Sequence, residues 1–135
     1  LKSIDGGLSW VELKLPMRLD VMDLSFFDEQ NGILLSENGQ IFKTINAGIS
    51  WTSPSYPADL KLNKVLHVDE NRLMISGENG LVLRSVNAGQ SWTVSNLPTE
   101  AIINKIFFVD PELGYAVSSN AEIYCILLMI LLVMQ

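Results

Sequence analysis

Thr44-Ile45-Asn46-Ala47-Gly48-Ile49-Ser50-Trp51 decides the fold, because a copy stands on either side of it. Ser3-Ile4-Asp5-Gly6-Gly7-Leu8-Ser9-Trp10 lies 41 residues before, and Ser85-Val86-Asn87-Ala88-Gly89-Gln90-Ser91-Trp92 lies 41 residues after. The chain is a tandem repeat. The register extends outward from the signature without insertion, aligning Pro16 with Pro57 and Pro98, Asp28 with Asp69 and Asp110, and Asn38 with Asn79 and Asn120. Each unit therefore meets the same neighbours, as in a stacked or radial array.

Between signatures the pattern is that of strands. Met22–Asp28, Ile33–Glu37, Gln40–Thr44 and Ile49–Ser53 are short runs of apolar, aromatic or β-branched residues. The second and third are joined by Glu37-Asn38-Gly39, and in the next unit by Glu78-Asn79-Gly80. Asn-Gly supplies the positive φ angles of a type I′ hairpin. Four antiparallel strands in a period of 41 residues predict a β-propeller blade, whereas helical repeats of similar length need a 3.6-residue apolar periodicity that is absent. Trp10, Trp51 and Trp92 are followed by Val11, Thr52 and Thr93, so these are not Trp-Asp blades. The fold class is all-β, an incomplete propeller of about three blades.

Each position of the signature has a mechanical use. The Asx at its third position accepts backbone N–H groups, the Gly at its fifth tolerates a left-handed backbone, and the Trp buries a large ring at the start of the next strand. All three tryptophans are thus expected to be mostly buried. Asn46 and Asn87 replace Asp5, keeping the acceptor oxygen but losing the charge that a metal or catalytic role would use. The evenly repeated set Ser3, Asp5, Gly7, Ser9, Trp10; Thr44, Asn46, Gly48, Ser50, Trp51; and Ser85, Asn87, Gly89, Ser91, Trp92 reads as a structural fastener.

The signature resembles the Asp-box of sialidase-type propellers, which in that family forms the turn between the third and fourth strands of a blade. With Gln40-Ile41-Phe42-Lys43-Thr44 and Leu81-Val82-Leu83-Arg84-Ser85 before the boxes, the pattern over residues 1 to 124 is similar to the photosystem II stability/assembly-factor family. That resemblance implies a non-catalytic scaffold for protein partners, a photosystem reaction-centre subunit among them, in the thylakoid lumen, the periplasm or outside the cell.

Composition narrows the alternatives. With 135 residues and 48% hydrophobic content the chain can bury a core. Fifteen acidic against nine basic residues, a net charge of −6, argue against a nucleic-acid partner. The single Cys125 rules out an internal disulfide and leaves the redox compartment unread. The first residues already belong to a repeat unit and leave no room for a signal peptide, a silence that reflects where the sequence begins, since Leu1 looks like a cut end.

The units divide as 1–20 (the end of a blade), 21–57, 62–98 and a partial blade at 102–124. Cys125 then stands where Lys43 and Arg84 stood, and no box opens at Ile126. Residues 125–135 form an aberrant apolar tail. The uncharged run Ile123 to Met134 is shorter than the ~20 residues of a membrane span. A buried final strand is one reading of this run, though an odd substitute for a hydrogen-bonded turn; the preferred one is a shifted reading frame, since offset codons for Ile-Leu-Leu-Met can encode Thr-Thr-Asp where a box is due. Closed propellers need about 4–8 blades, so the chain is expected to be a fragment. Its open strand edges should find further blades or self-associate.

Neither catalytic residues nor a metal or cofactor set is expected. His67, the only histidine, takes the place of Phe26 and Phe108 and reads as core or channel-lining; Tyr56, Tyr115 and Tyr124 align with apolar residues and read as packing. A sialidase needs an arginine triad, a Tyr nucleophile with a Glu partner and an acid/base Asp; only Arg18, Arg72 and Arg84 are present, and Arg84 merely replaces Lys43. A piece of an Asp-box hydrolase and a secreted cell-surface repeat protein are the alternative readings. Arg18, Asp59 and Glu100 share one register position with different chemistry; with Lys61 they form the candidate partner-binding rim, because variable residues on a constant frame suit recognition.

Overall fold

A computed structural model of the chain describes residues 1–15, 18–54 and 59–127. Their strands form three antiparallel sheets. The first holds β1 (Val21–Phe26), β2 (Gly32–Ser36) and β3 (Ile41–Thr44), and the second β4 (Leu62–His67), β5 (Leu73–Gly77), β6 (Val82–Ser85) and β7 (Thr93–Val94). The third holds β8 (Ile103–Asp110), β9 (Leu113–Ser118) and β10 (Ile123–Leu127). The innermost strands open at Val21, Leu62 and Ile103, in step with the repeat. The architecture is the expected one, a propeller of about three blades. None of the described residues forms a helix long and apolar enough to cross a membrane.

The fourth strand is the weakest element. It is two residues long in the second blade and a single bridge, Lys43 with Thr52, in the first, where Ile49–Ser53 was expected; Lys2 with Val11 repeats that bridge at the start of the chain. Outermost strands are covered on one side only and have few apolar contacts to hold them. β10 pairs with β9 as far as Leu127 with Leu113, so the boundary drawn at residue 124 falls inside a strand. Residues 128–135, which carry most of the apolar tail and the reading-frame argument, and Pro16, Tyr56 and Pro57, lie outside the described residues.

The core lies between blades rather than within one. Every residue of β2 and β5 is buried, and side chains alternate across the sheet. Leu73, Ile75, Leu81, Leu83 and Trp92 of the second blade meet Ile33, Leu35 and Ile41 of the first. Met74 and Val82, one residue out of phase, meet Ile103, Ile106 and Ala116 of the third. Each such side chain contributes about 1.5–3 kcal/mol on burial.

This arrangement corrects the expectation for the tryptophans. Trp92 is buried at 7% exposure, Trp51 is half-buried, and Trp10 is 59% exposed. The gradient follows the neighbour on the preceding side. A Cβ at Gly89 would stand 2.8 Å from Ile33 of the first blade, one at Gly48 meets only Leu13 at 3.3 Å, and one at Gly7 meets nothing beyond its own Trp10. A box becomes core only where the blade before it covers it.

Two further local differences have steric causes. Asn79 and Gly80 both adopt positive φ, 54° and 68°, as a type I′ turn requires, but at Glu37-Asn38-Gly39 only Gly39 does, at 80°. There Gly39 N–H donates to Ser36 O at 3.0 Å, and the Ser36 hydroxyl brackets the loop by binding Asn38 and accepting Gln40 N–H. Ser118 repeats this with Asn120 and Glu122. The middle unit has Gly77 in place of that serine, because a Cβ would fall 2.1 Å from Lys61 O. The second difference is His67. Phe26 and Phe108 lie over Gly32 and Gly114, where a Cβ would come within 2.7 Å of either ring, whereas His67 faces Leu73.

Candidate functional site

The boxes come first, since they set where everything else can be. In each, the opening hydroxyl accepts the N–H of the fifth residue: Ser3 from Gly7 at 2.7 Å, Thr44 from Gly48 at 2.9 Å, and Ser85 from Gly89 at 2.9 Å. The Asx oxygen accepts the N–H of the seventh residue: Asp5 from Ser9 at 2.9 Å, Asn46 from Ser50 at 2.9 Å, and Asn87 from Ser91 at 3.0 Å. The glycines are left-handed, with φ of 91°, 82° and 79° at Gly7, Gly48 and Gly89. Ala47 and Ala88 before them are left-handed too, at 60° and 57°, which the sequence reading missed. Gly6, at the same step of the first box, was the available signal.

The second oxygen or nitrogen of the Asx distinguishes the boxes. The Ser9 hydroxyl donates to Asp5, but Asn46 and Asn87 amides donate to Ser50 and Ser91 at 2.8 Å. Asp5 alone is therefore held as an anion: hydrogen bonds from the Ser9 hydroxyl, then the Ser9 N–H and the Ser3 hydroxyl, bring its pKa to about 2.

The second and third boxes are each pinned to the first-to-second-strand corner of their own blade, Ala47 N–H to Gln30 O at 2.9 Å and Ala88 N–H to Asn71 O at 2.8 Å. The corners are built alike. Asp28 accepts from Gln30 and Asn31, Asp69 from Asn71 and Arg72, and Asp110 from Glu112 and Leu113, all main-chain N–H groups within 3.0 Å. Boxes and corners thus share one rim. A cavity of about 70 Å³ opens beside them between the first two blades, lined by Phe27, Ile33, Lys43, His67, Glu70 and Ala88 among others. Burial lowers the pKa of both Lys43 and His67. The Ser25 hydroxyl bonds His67 Nδ1 at 2.8 Å and accepts the His67 N–H at 3.3 Å, tying blade one to blade two. The crevice is a polar notch, with Lys43 and Glu70 beside the His67 ring, held by the interface.

The opposite rim carries the hairpins and the connections that lead into the next blade. Glu37 N–H binds Asp20 O at 2.8 Å, Glu78 N–H binds Lys61 O at 3.0 Å, and Ser119 N–H binds Ile102 O at 2.8 Å. Every connection is therefore held at the same point. Arg18, Asp59, Lys61 and Glu100 are exposed on these connections, one each before β1 and β8 and two before β4. They do not converge on one pocket. Arg18 alone lines a groove, of about 240 Å³, with Leu19, Asp20, Glu37 and Asn38. Among the described residues none of the four side chains makes a hydrogen bond or ion pair, and no three His, Cys, Asp or Glu side chains gather as a metal set.

Known proteins with this geometry are propellers. The chain is similar to the solved structure "YCF48 bound to D1 peptide", with 24% identity and a TM-score of 0.72 over 83% of this chain and 38% of that one. It is also similar to YCF48 from Cyanidioschyzon merolae, with 21% identity and a TM-score of 0.68 over 84% of this chain and 36% of that one. The chain thus spans well under half the length of either. A comparison with curated proteins finds no match. A sequence model of the family described as photosynthesis system II assembly factor YCF48 matches residues 5–100.

Proposed function

The chain belongs to the photosynthesis system II assembly factor YCF48 family, and from that premise we propose that it is a non-catalytic scaffold whose hairpin-bearing rim docks a protein partner, a photosystem reaction-centre subunit. The similar solved YCF48 is bound to a D1 peptide, which gives the partner its chemical class, a peptide segment. The observation that carries the reading is the contrast along that rim. Main-chain bonds hold every connection in the same place, while Arg18, Asp59, Lys61 and Glu100 vary in charge and are exposed. A rigid frame with side chains not used in folding suits recognition at low ordering cost.

The test is binding of a labelled D1 peptide to the chain, read by fluorescence anisotropy. Arg18→Glu with Lys61→Glu is expected to weaken binding about tenfold or more, equivalent to ~1.4 kcal/mol, with an unchanged melting temperature. Equal affinity in that variant overturns the rim assignment, and loss of binding in Lys43→Glu instead moves the site to the crevice between the first two blades.

A further inference from the structure

We propose that the groove between the innermost strands of the second and third blades, β4 and β8, is a carboxylate-binding site, separate from the hairpin-bearing rim. The two joints between blades are closed differently at this inner edge. In the first, the Asp23 carboxylate accepts Val65 N–H at 2.9 Å and the Ser25 hydroxyl accepts His67 N–H at 3.3 Å. The N–H groups that β4 turns away from its own sheet are thus used by the blade before it. One period on, Lys64 and Leu66 stand where Asp23 and Ser25 stood. Neither side chain can accept a hydrogen bond.

The third blade still presents the donors. Ile106 and Phe108 lie opposite Ala116 and Gly114 in the register that Val65 and His67 keep with Ile75 and Leu73, and alternate residues of an antiparallel edge turn their N–H groups away from the sheet. The side-chain bonds that reach this strand stop short of them, Ser119 accepting Ile102 N–H at 3.2 Å and Asn63 donating to Ile103 O at 3.0 Å. Among the described residues no side chain accepts from Ile106 or Phe108. A main-chain donor left free at a strand edge is open to an incoming acceptor.

The surroundings select what that acceptor is. The groove, of about 380 Å³, is lined by Lys64, Lys105 and Asn104 beside Ile106, with Leu66 as an apolar wall and Asp23 as the one acid among them. Both lysines are exposed, and among the described residues neither forms an ion pair. Asp23 is already engaged by Val65 N–H. Two ammonium groups, the Asn104 amide and the Ile106 N–H are donors in search of an anionic oxygen, and a carboxylate offers two oxygens to such a set. Leu66 gives the carbon body of an organic acid a surface that a bare inorganic ion does not use. A peptide C-terminus and a free small acid share this chemistry.

The experiment is an amide NMR titration of the full chain, at constant ionic strength, with succinate and with acetyl-tetra-alanine carrying either a free or an amidated C-terminus. The Ile106 amide proton is expected to move downfield and saturate, while Val65, its occupied counterpart, stays in place. A response to the free-acid peptide alone assigns the site to a chain end, and a response to succinate assigns it to small carboxylates; both support the proposal. Lys64→Ala with Lys105→Ala is expected to weaken binding about tenfold or more through loss of two charge-assisted bonds. Lys64→Asp is expected to place an acceptor on Ile106 N–H, as Asp23 does on Val65, shifting that resonance without ligand and abolishing the titration. An Ile106 resonance that no carboxylate probe moves, an equal response at Val65 or to the amidated peptide, or unchanged affinity in the double lysine variant overturns the proposal.

Discussion

Asp5 and Asn46 occupy the same step of the same turn, yet one accepts and the other donates to the serine four residues on. Only the first can sense acid. The folded pKa of Asp5, about 2, lies below its ordinary 3.8; its ionised bonds therefore support the box at higher pH and are lost as pH falls from 3.8 toward 2. A carboxyl NMR titration is expected to place its midpoint near 2, and Asp5→Asn to remove that titration while keeping the turn. His67 has the opposite chemistry and the same sign. Burial, opposed by Asp28 and assisted by Lys43, lowers its pKa, so the folded state binds fewer protons than the unfolded chain. Stability should then fall as pH drops below 6.5, and the urea midpoint of His67→Gln should show a flatter dependence there. Among the aromatic rings, Trp92→Ala should cost about 3–5 kcal/mol as a large core truncation. Trp10→Ala, at an exposed ring, should stay within about 0.5 kcal/mol by thermal melting.

Blades with one plan can still differ in their elements. Alignment of the repeats favours Ser at position 77, as at Ser36 and Ser118, and would present Gly77→Ser as a stabilising change. The structure predicts the reverse. A Cβ there meets Lys61 O at 2.1 Å, main chain that cannot move without breaking the Glu78–Lys61 bond, and the variant should lose about 1–3 kcal/mol in a denaturant titration. The pairs Phe26–Gly32, His67–Leu73 and Phe108–Gly114 face each other across the first two strands. His67→Phe alone should overpack Leu73, and a double-mutant cycle with Leu73→Gly should give a coupling of about 0.5–3 kcal/mol. Independent sites would give none.

At the scale of the molecule, stability resides in contacts between blades. Both apolar clusters cross a blade boundary, and so do Asp23 accepting Val65 N–H at 2.9 Å and Asn63 donating to Ile103 O at 3.0 Å. Arg72 does the same on the box rim, binding Asp69 of its own blade at 2.6 Å and Glu112 of the next at 3.0 Å. Glu112 is half exposed, so Glu112→Ala should cost only about 0.2–1 kcal/mol in chemical denaturation. A blade left without its neighbour exposes what the repeat was built to cover, as Leu24 and Ile123 do.

The sequence by itself determined the period, the first three strands of a blade, the boxes and the propeller, because each depends on local chemistry repeated at fixed spacing: a hydroxyl and an Asx oxygen for orphan N–H groups, glycine for left-handed backbone, and short apolar and β-branched runs for strands. It also placed Arg18, Asp59, Lys61 and Glu100 on one rim, since register alone decides which connection a residue occupies. Tertiary structure decided the rest. Whether Trp10 or Trp92 is core, why Gly77 differs from Ser36, and how Lys43 and His67 come to line one crevice all depend on the adjacent blade, whose residues lie about one period away in the chain and act through close packing that a local pattern does not record.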